Sequence, residues 1–152
     1  MEIERKFLVK SLPDNLENYP HTFIEQGYLS TGPVVRVRQD GDSYYLTYKG
    51  GGMMAREEYN LPLNQQSYLH LKEKADGNII TKTRYRIPLE DGLTAELDIF
   101  SGVMEGLVMV EVEFPDEQSA VSYQPPAWFG KDVTFDKRYH NSYMAKHAVS
   151  NA

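Results

Sequence analysis

Polar and apolar residues alternate with a period of two along most of this chain, and Gly, Asp, Asn or Pro breaks the alternation at short intervals. Successive side chains of a strand point to opposite faces, so the pattern predicts antiparallel strands joined by tight turns. Eight segments carry it: residues 1–9, 23–29, 34–39, 44–49, 55–61, 79–88, 94–100 and 108–114. Asp40-Gly41-Asp42 and Glu90-Asp91-Gly92 read as hairpin turns, because Gly supplies the positive φ such turns demand. Gly50-Gly51-Gly52 reads as a mobile hairpin loop, since consecutive glycines are entropically expensive to order. Helical signals are few: 65–74 with Asn64 as N-cap, a short turn after Asp116 that Pro125-Pro126 stops, and 138–148. The expectation is a β-rich (α+β) single domain over 1–152, with a few short peripheral helices as connectors or lids.

Spacing also sorts the charges, because residues two apart on a strand share a face. Glu2, Glu4 and Lys6 fall together, as do Arg36 with Arg38, Lys82 with Arg84 and Arg86, Glu96 with Asp98, and Glu111 with Glu113. With Lys49 and Glu58 these make seven cations and seven anions on one surface. A solvated outer face would explain any single stripe. The sign pattern points elsewhere, because Glu111 and Glu113 sit among Leu107, Val108, Met109, Val110, Val112 and Phe114, and a wet face needs no such segregation. Two carboxylates about 4 Å apart repel by roughly 4 kcal/mol at an effective dielectric near 20. A chain that repeats such pairs must supply cations, either from its own basic stripes or as bound metal.

Composition narrows the partners. The net charge is −6, with 41% hydrophobic and 25% charged residues, which fits neither a basic nucleic-acid binder nor an acidic disordered tail. The absence of Cys removes disulfides, thiolate metal sites and thiol catalysis, and oxygen-only clusters suit Mg²⁺, Ca²⁺ or Mn²⁺. Met1 leads directly into Glu2, Glu4, Arg5 and Lys6 rather than an apolar signal core. No later stretch approaches the roughly 20 apolar residues of a membrane span, so a cytoplasmic location without membrane contact is expected. His21, His70, His140 and His147 lack ligand spacing and read as surface or helix residues, and Trp128 and Phe129 as packing at one end of the fold.

An interior of self-satisfied ion pairs is one explanation of the balanced stripes, but desolvation consumes most of what such pairs gain. A wet, ligand-filled lumen is the better one. Two divalent cations and an oligophosphate keep the balance, with guanidinium forks gripping phosphate oxygens, and a closed eight-stranded barrel is wide enough to hold them.

These residues resemble the CYTH, or triphosphate tunnel metalloenzyme, superfamily. The family's Glu-x-Glu-x-Lys signature is matched by Glu2-Ile3-Glu4-Arg5-Lys6. The match continues through Gln26-Gly27-Tyr28-Leu29, Arg36-Val37-Arg38, Tyr48-Lys49, Arg56-Glu57-Glu58-Tyr59 and Thr83-Arg84-Tyr85-Arg86. It runs on through Glu96-Leu97-Asp98 and Glu111-Val112-Glu113-Phe114 to Trp128-Phe129-Gly130-Lys131 and Arg138-Tyr139-His140-Asn141. The resemblance implies a closed eight-stranded antiparallel β-barrel forming a tunnel. Arg36, Arg38, Lys49, Lys82, Arg84 and Arg86 would cradle phosphates. Glu2, Glu4, Glu111 and Glu113, with Asp98 and Glu58 added, would hold two Mg²⁺ or Mn²⁺ per active site. Lys6 with Tyr28 resembles a pair that some members place beside the attacked phosphorus. Asn60 departs from the pattern, since many relatives carry an acid there, and this leaves Glu58 alone on its strand.

In the small bacterial members the usual activity is hydrolysis of inorganic tripolyphosphate. Phosphoanhydride hydrolysis relies on positioning and electrostatics, which one metal bridging phosphates and a second activating water would supply. Lys6 would hold a phosphate or act as an acid or base. A class IV-type adenylyl cyclase or a thiamine-triphosphatase on the same fold, and a non-catalytic polyphosphate-binding module, are the alternatives. The joint presence of Glu2, Glu4, Glu111 and Glu113 favours metal chemistry over mere binding. The expected partner is a small oligophosphate, with neither nucleic acid nor membrane, and a homodimer is compatible with the sequence.

Overall fold

The computed structural model describes residues 1–147. Its strands are β1 (Glu2–Val9), β2 (His21–Thr31), β3 (Val34–Asp40), β4 (Ser43–Lys49), β5 (Ala55–Arg56), β6 (Glu58–Leu63), β7 (Asp76–Pro88), β8 (Thr94–Ser101), β9 (Val108–Glu113) and β10 (Phe129–Asp132). Three short helices join them: α1 (Gln65–Lys72), α2 (Glu117–Ser122) and α3 (Asn141–Met144). The strands form one antiparallel sheet in the order β10-β1-β9-β8-β7-β2-β3-β4-β6. The sheet curls almost shut, because β5, which leads directly into β6, pairs with β1 through Glu2↔Arg56 and Ile3↔Ala55.

All eight expected segments are strand, with two differences. Segment 55–61 is broken at Glu57, whose carbonyl accepts from Gly50 N–H at 2.9 Å, so that β6 stays on β4 while β5 crosses to β1. The additional strand β10 pairs with the far half of β1, through Phe7↔Asp132 and Val9↔Phe129. It is too short, and too poorly alternating, to be legible as a strand. The two-residue turn at Gly41 and Asp42 and the turn at Glu90–Gly92 fall where expected.

The helices begin at their caps. Asn64 Oδ1 accepts from Ser67 N–H at 2.7 Å and Asp116 Oδ1 accepts from Ser119 N–H at 2.7 Å. The expected 65–74 helix ends at Lys72, and the expected 138–148 helix reduces to a turn at Lys137–Tyr139 followed by α3. The end of that expected helix, Ala148, lies outside the described residues. Among the described residues no helix is long and apolar enough to cross a membrane.

Ladder register decides what the barrel holds. The cross-strand pairs Lys6↔Glu111, Glu4↔Glu113, Glu96↔Glu111, Arg84↔Asp98, Arg86↔Glu96 and Lys49↔Glu58 tie the charged stripes of β1, β9, β8, β7, β4 and β6 to one face. Arg36↔Tyr28 and Arg38↔Gln26 do the same for β3 and β2. This face is the lumen. The opposite face of β1, β8 and β9 presents Phe7, Ala95, Leu97, Val110 and Val112 outward, where Phe129 of β10 and Ala120 of α2 bury them. The larger of these side chains, Phe7, Leu97, Val110, Val112 and Phe129, contribute about 1.5–3 kcal/mol each, and with this apolar core largely outside the barrel wall the lumen is free for charge. One end of the lumen is filled by a second cluster: Ile80, Phe100, Met104, Leu107, Met109 and Met144. Gly77, at φ +74°, lets α3 close over that end, because a side chain there would strike the Ala145 carbonyl.

Candidate active site

Above the apolar plug the lumen opens into a cavity of about 340 Å³ lined by no aliphatic side chain. A roomier groove of about 840 Å³ lies outside the barrel, between the 88–93 turn and α2, but no cationic group lines it. The chemistry is in the lumen.

One wall is cationic. Arg36 is buried on β3 and among the described residues has no carboxylate within ion-pairing distance, and its Nε lacks any hydrogen-bond partner. Arg38 donates from Nε to the neutral Gln26 Oε1 at 2.8 Å. Burial, then the like charges of Arg36 and Arg84, push the Arg38 guanidinium down to about 10, the mark of a cation short of anions. Arg84 is different: it grips Asp98 with Nε at 2.8 Å and Nη2 at 2.9 Å, and Glu96 with Nη1 at 3.1 Å.

The facing wall is anionic. Glu4 and Glu113 are cross-strand neighbours, and among the described residues neither has a cation within ion-pairing distance. Burial, then Glu111 beside it, pushes the Glu4 carboxyl up to about 8. The more exposed Glu113 is raised by partial burial and by Glu96 and Glu58. Glu2 is raised by burial although Lys49 stands 3.0 Å away. Burial favours neutral Glu58 too, but hydrogen bonds from Glu2 and Asn60 and the Lys49 charge outweigh it and lower that carboxyl to about 2. Like charges facing one another across a ladder are destabilising unless something neutralises them.

Between the walls stands Lys6, 3.5 Å from Glu111. Burial opposes its charge, but Glu111 and Glu4 outweigh burial and raise its pKa, so it remains an ammonium. The same contact, with Arg84 at 3.9 Å, holds the Glu111 carboxyl well below its usual range although burial opposes this. Glu111 and Glu113, a single like-charged pair in sequence, are therefore electrostatically opposite. Tyr28 lines the cavity beside Arg36, and Asn141 of α3 reaches in with a buried Oδ1 that has no partner among the described residues.

The CYTH domain pattern matches residues 1–142. This chain belongs to the CYTH family. The CYTH chain is 43% identical over 148 residues to an inorganic triphosphatase of Nitrosomonas europaea, covering 95% of this chain and 96% of the relative. It is 37% identical over 160 residues to an inorganic triphosphatase of Acetivibrio thermocellus, covering 99% and 96%. Its fold superposes on a crystal structure of an inorganic triphosphatase with a TM-score of 0.73 at 38% identity, covering 99% of this chain and 97% of that one.

Of the residues singled out in sequence, Glu2, Glu4, Lys6, Tyr28, Arg36, Arg38, Lys49, Glu58, Arg84, Glu111 and Glu113 line the cavity of this CYTH barrel. Lys82, Asp98 and Arg86 do not. Lys82 and Asp98 form a fully buried 2.7 Å pair beneath the floor. Burial pulls the Lys82 ammonium down to about 7 against Asp98, whereas Asp98 is held below its usual range. The two-pronged Arg84 fork accounts for the difference, because it keeps Asp98 ionised whatever Lys82 does. Arg86 turns toward the rim, 3.6 Å from Asp40 and 3.1 Å from Thr22 Oγ1.

Glu96, expected on the same charged surface, lines the cavity too, and the cavity also recruits groups that sequence reading gave no role there: Arg56, 3.9 Å from Glu2, together with Tyr45 and Asn141. Arg56 was legible by its spacing of two from Glu58. Asn60, the departure from the family pattern, donates to Glu58 at 3.0 Å and accepts from Thr47 at 2.6 Å, so it orients Glu58 without adding charge. The expectation for His140 needs correction: it is buried, and its Nε2 donates to the Thr134 carbonyl at 2.8 Å, because a residue that opens α3 against the barrel seam cannot remain on the surface.

Proposed function

We propose that this chain is an inorganic triphosphatase, hydrolysing tripolyphosphate to pyrophosphate and orthophosphate in the cytoplasm with a divalent cation as cofactor. The observation that carries the reading is the polarity of the cavity, with uncompensated guanidinium groups on one wall and uncompensated carboxylates on the other. The triphosphatase names of relatives at 43% and 37% identity support it.

Arg36 and Arg38 bind the non-bridging oxygens of the phosphate chain, and Arg84, Lys49 and Lys6 add charge already partly shared with carboxylates. Lys6, held as an ammonium, neutralises developing charge rather than removing a proton. Water forms a bond to a terminal phosphorus as that atom's bond to the bridging oxygen breaks. Pyrophosphate leaves with that oxygen, and the proton of the attacking water passes to the phosphate products and solvent.

No three carboxylate or imidazole groups among the described residues stand ready-made as a metal cage. The donor chemistry nevertheless fits a hard cation: Glu4, Glu113 and Glu2 offer only oxygen, and among the described residues Glu4 and Glu113 have no cation within ion-pairing distance, while Glu2 shares Lys49. Mg²⁺ or Mn²⁺ held there would neutralise phosphate oxygens and make a bound water more acidic. Apart from Tyr28 and Tyr45 the lining is charged or amide and holds no aliphatic side chain, which favours the bare phosphate chain over a substrate carrying a nucleobase or thiazole.

Initial rates with tripolyphosphate, pyrophosphate, ATP and thiamine triphosphate under Mg²⁺ and under Mn²⁺ test the reading. The highest kcat/KM is expected for tripolyphosphate. Preference for ATP with a cyclic product, or turnover of none of the four, would overturn it.

A further inference from the structure

Two arginines reach the lumen through similar forks, but their anchors differ. Arg84 closes its fork on Asp98, a carboxylate, through Nε at 2.8 Å and Nη2 at 2.9 Å. Arg38 directs Nε and Nη2 to one oxygen of Gln26, a carboxamide, with the Nε bond at 2.8 Å. Gln26 is fully buried and faces Arg38 directly across the β2–β3 ladder. Its orientation is unambiguous, because only the oxygen of the amide can accept from a guanidinium. The choice of amide has a visible cost: Gln26 Nε2 is buried with no hydrogen-bond partner among the described residues. A glutamate would leave no orphaned donor and would bind the guanidinium more strongly. It would also cancel the charge.

We propose that Gln26 is a positioning residue that fixes the Arg38 fork toward the phosphate chain while leaving its positive charge unneutralised, so that Arg38 meets an oligophosphate as a full cation. The inference rests on the triphosphatase reading above and says why β2 carries an amide where β8 carries a carboxylate. Arg36, without an acidic partner among the described residues, completes a pair of cations reserved for the ligand.

The decisive variant is Gln26→Glu, nearly the same in shape and still an acceptor for the fork. Its melting temperature should equal or exceed the parent's, while KM for tripolyphosphate rises about ten- to a hundredfold, the loss expected for charge-assisted phosphate contacts, and kcat changes less. Stability and affinity then move in opposite directions, which a merely structural role does not produce. A folded Gln26→Glu protein with the parental KM overturns the proposal, as does one that melts well below the parent. Gln26→Met is a second, independent test. It frees the Arg38 fork and should raise KM, and parental kinetics in folded Gln26→Met overturn the proposal. Arg38→Ala separates the two levels of inference. If the parent turns over tripolyphosphate and Arg38→Ala is impaired while Gln26→Glu is not, only the role of Gln26 fails. If the parent does not act on tripolyphosphate, the functional reading fails first.

Discussion

Replacing Arg36 and Arg84 separately by Met gives opposite outcomes if the cavity is built as described. Arg36 is 4% exposed, and among the described residues it has no carboxylate within ion-pairing distance and no hydrogen-bond partner for its Nε. An orphaned buried polar group costs about 1–3 kcal/mol, so an unbranched apolar side chain there should leave the fold as stable or more so by that amount. For a domain of this size each kcal/mol moves the melting temperature by about 2–4 °C. Arg84→Met instead strips two hydrogen bonds from Asp98, which is 1% exposed, and one from Glu96. Breaking such a buried network from one side costs about 3–5 kcal/mol. Both variants should lose at least tenfold in kcat/KM for tripolyphosphate, at roughly 1.4 kcal/mol per decade. Scanning calorimetry and phosphate-release kinetics on the same preparations provide the comparison. If Arg36→Met melts as low as Arg84→Met and keeps parental activity, the idea of a cation held for a ligand is wrong.

Three further outcomes are expected. Glu113→Gln should abolish turnover with Mg²⁺ and leave the melting temperature in EDTA unchanged or higher, whereas Glu111→Gln, which uncouples Lys6 and Arg84, should lower it; the reverse order would remove Glu113 from the metal wall. At pH 7 the Glu4 carboxyl, raised to about 8, still carries its proton, so Mg²⁺ binding should release about one proton, visible as a binding heat that depends on the ionisation enthalpy of the buffer. His140 is pushed down to about 4, first by burial and then by Lys6. Its folded pKa lies below the unfolded 6.5, so the native state binds fewer protons and stability falls as pH drops from 6.5 toward 4, by up to about 3 kcal/mol. His140→Gln should flatten the melting-temperature profile in that window, and an unchanged profile would exclude this source.

The sequence exposed the strands because alternation is a local signal, and it exposed the lumen because a spacing of two fixes which charges share a face. Register was the missing information. Glu111 and Glu113 look equivalent along the chain, yet only the ladder partner Lys6, with Arg84 reaching across β8, makes the first a neutralised anion, whereas the second has no cation within ion-pairing distance among the described residues. In the same way Lys82 and Asp98 belong to the charged stripes by spacing, but they lie below the cavity floor, where the lumen has narrowed to Phe100 and Met109. The split of 55–61 and the seam strand β10 depend on closure of the barrel, a long-range condition that no window of local alternation contains. Gln26 was visible as part of a family motif, but its use required the distance to Arg38.

Orthophosphate release from tripolyphosphate, followed on one preparation with Mg²⁺, with Mn²⁺ and with excess EDTA, tests the two-walled cavity most directly. One orthophosphate and one pyrophosphate should appear for each tripolyphosphate consumed, with release stopping on chelation and resuming when either metal is restored. Undiminished release in EDTA would contradict the anionic wall as a metal site, and no release under either metal would contradict the account as a whole.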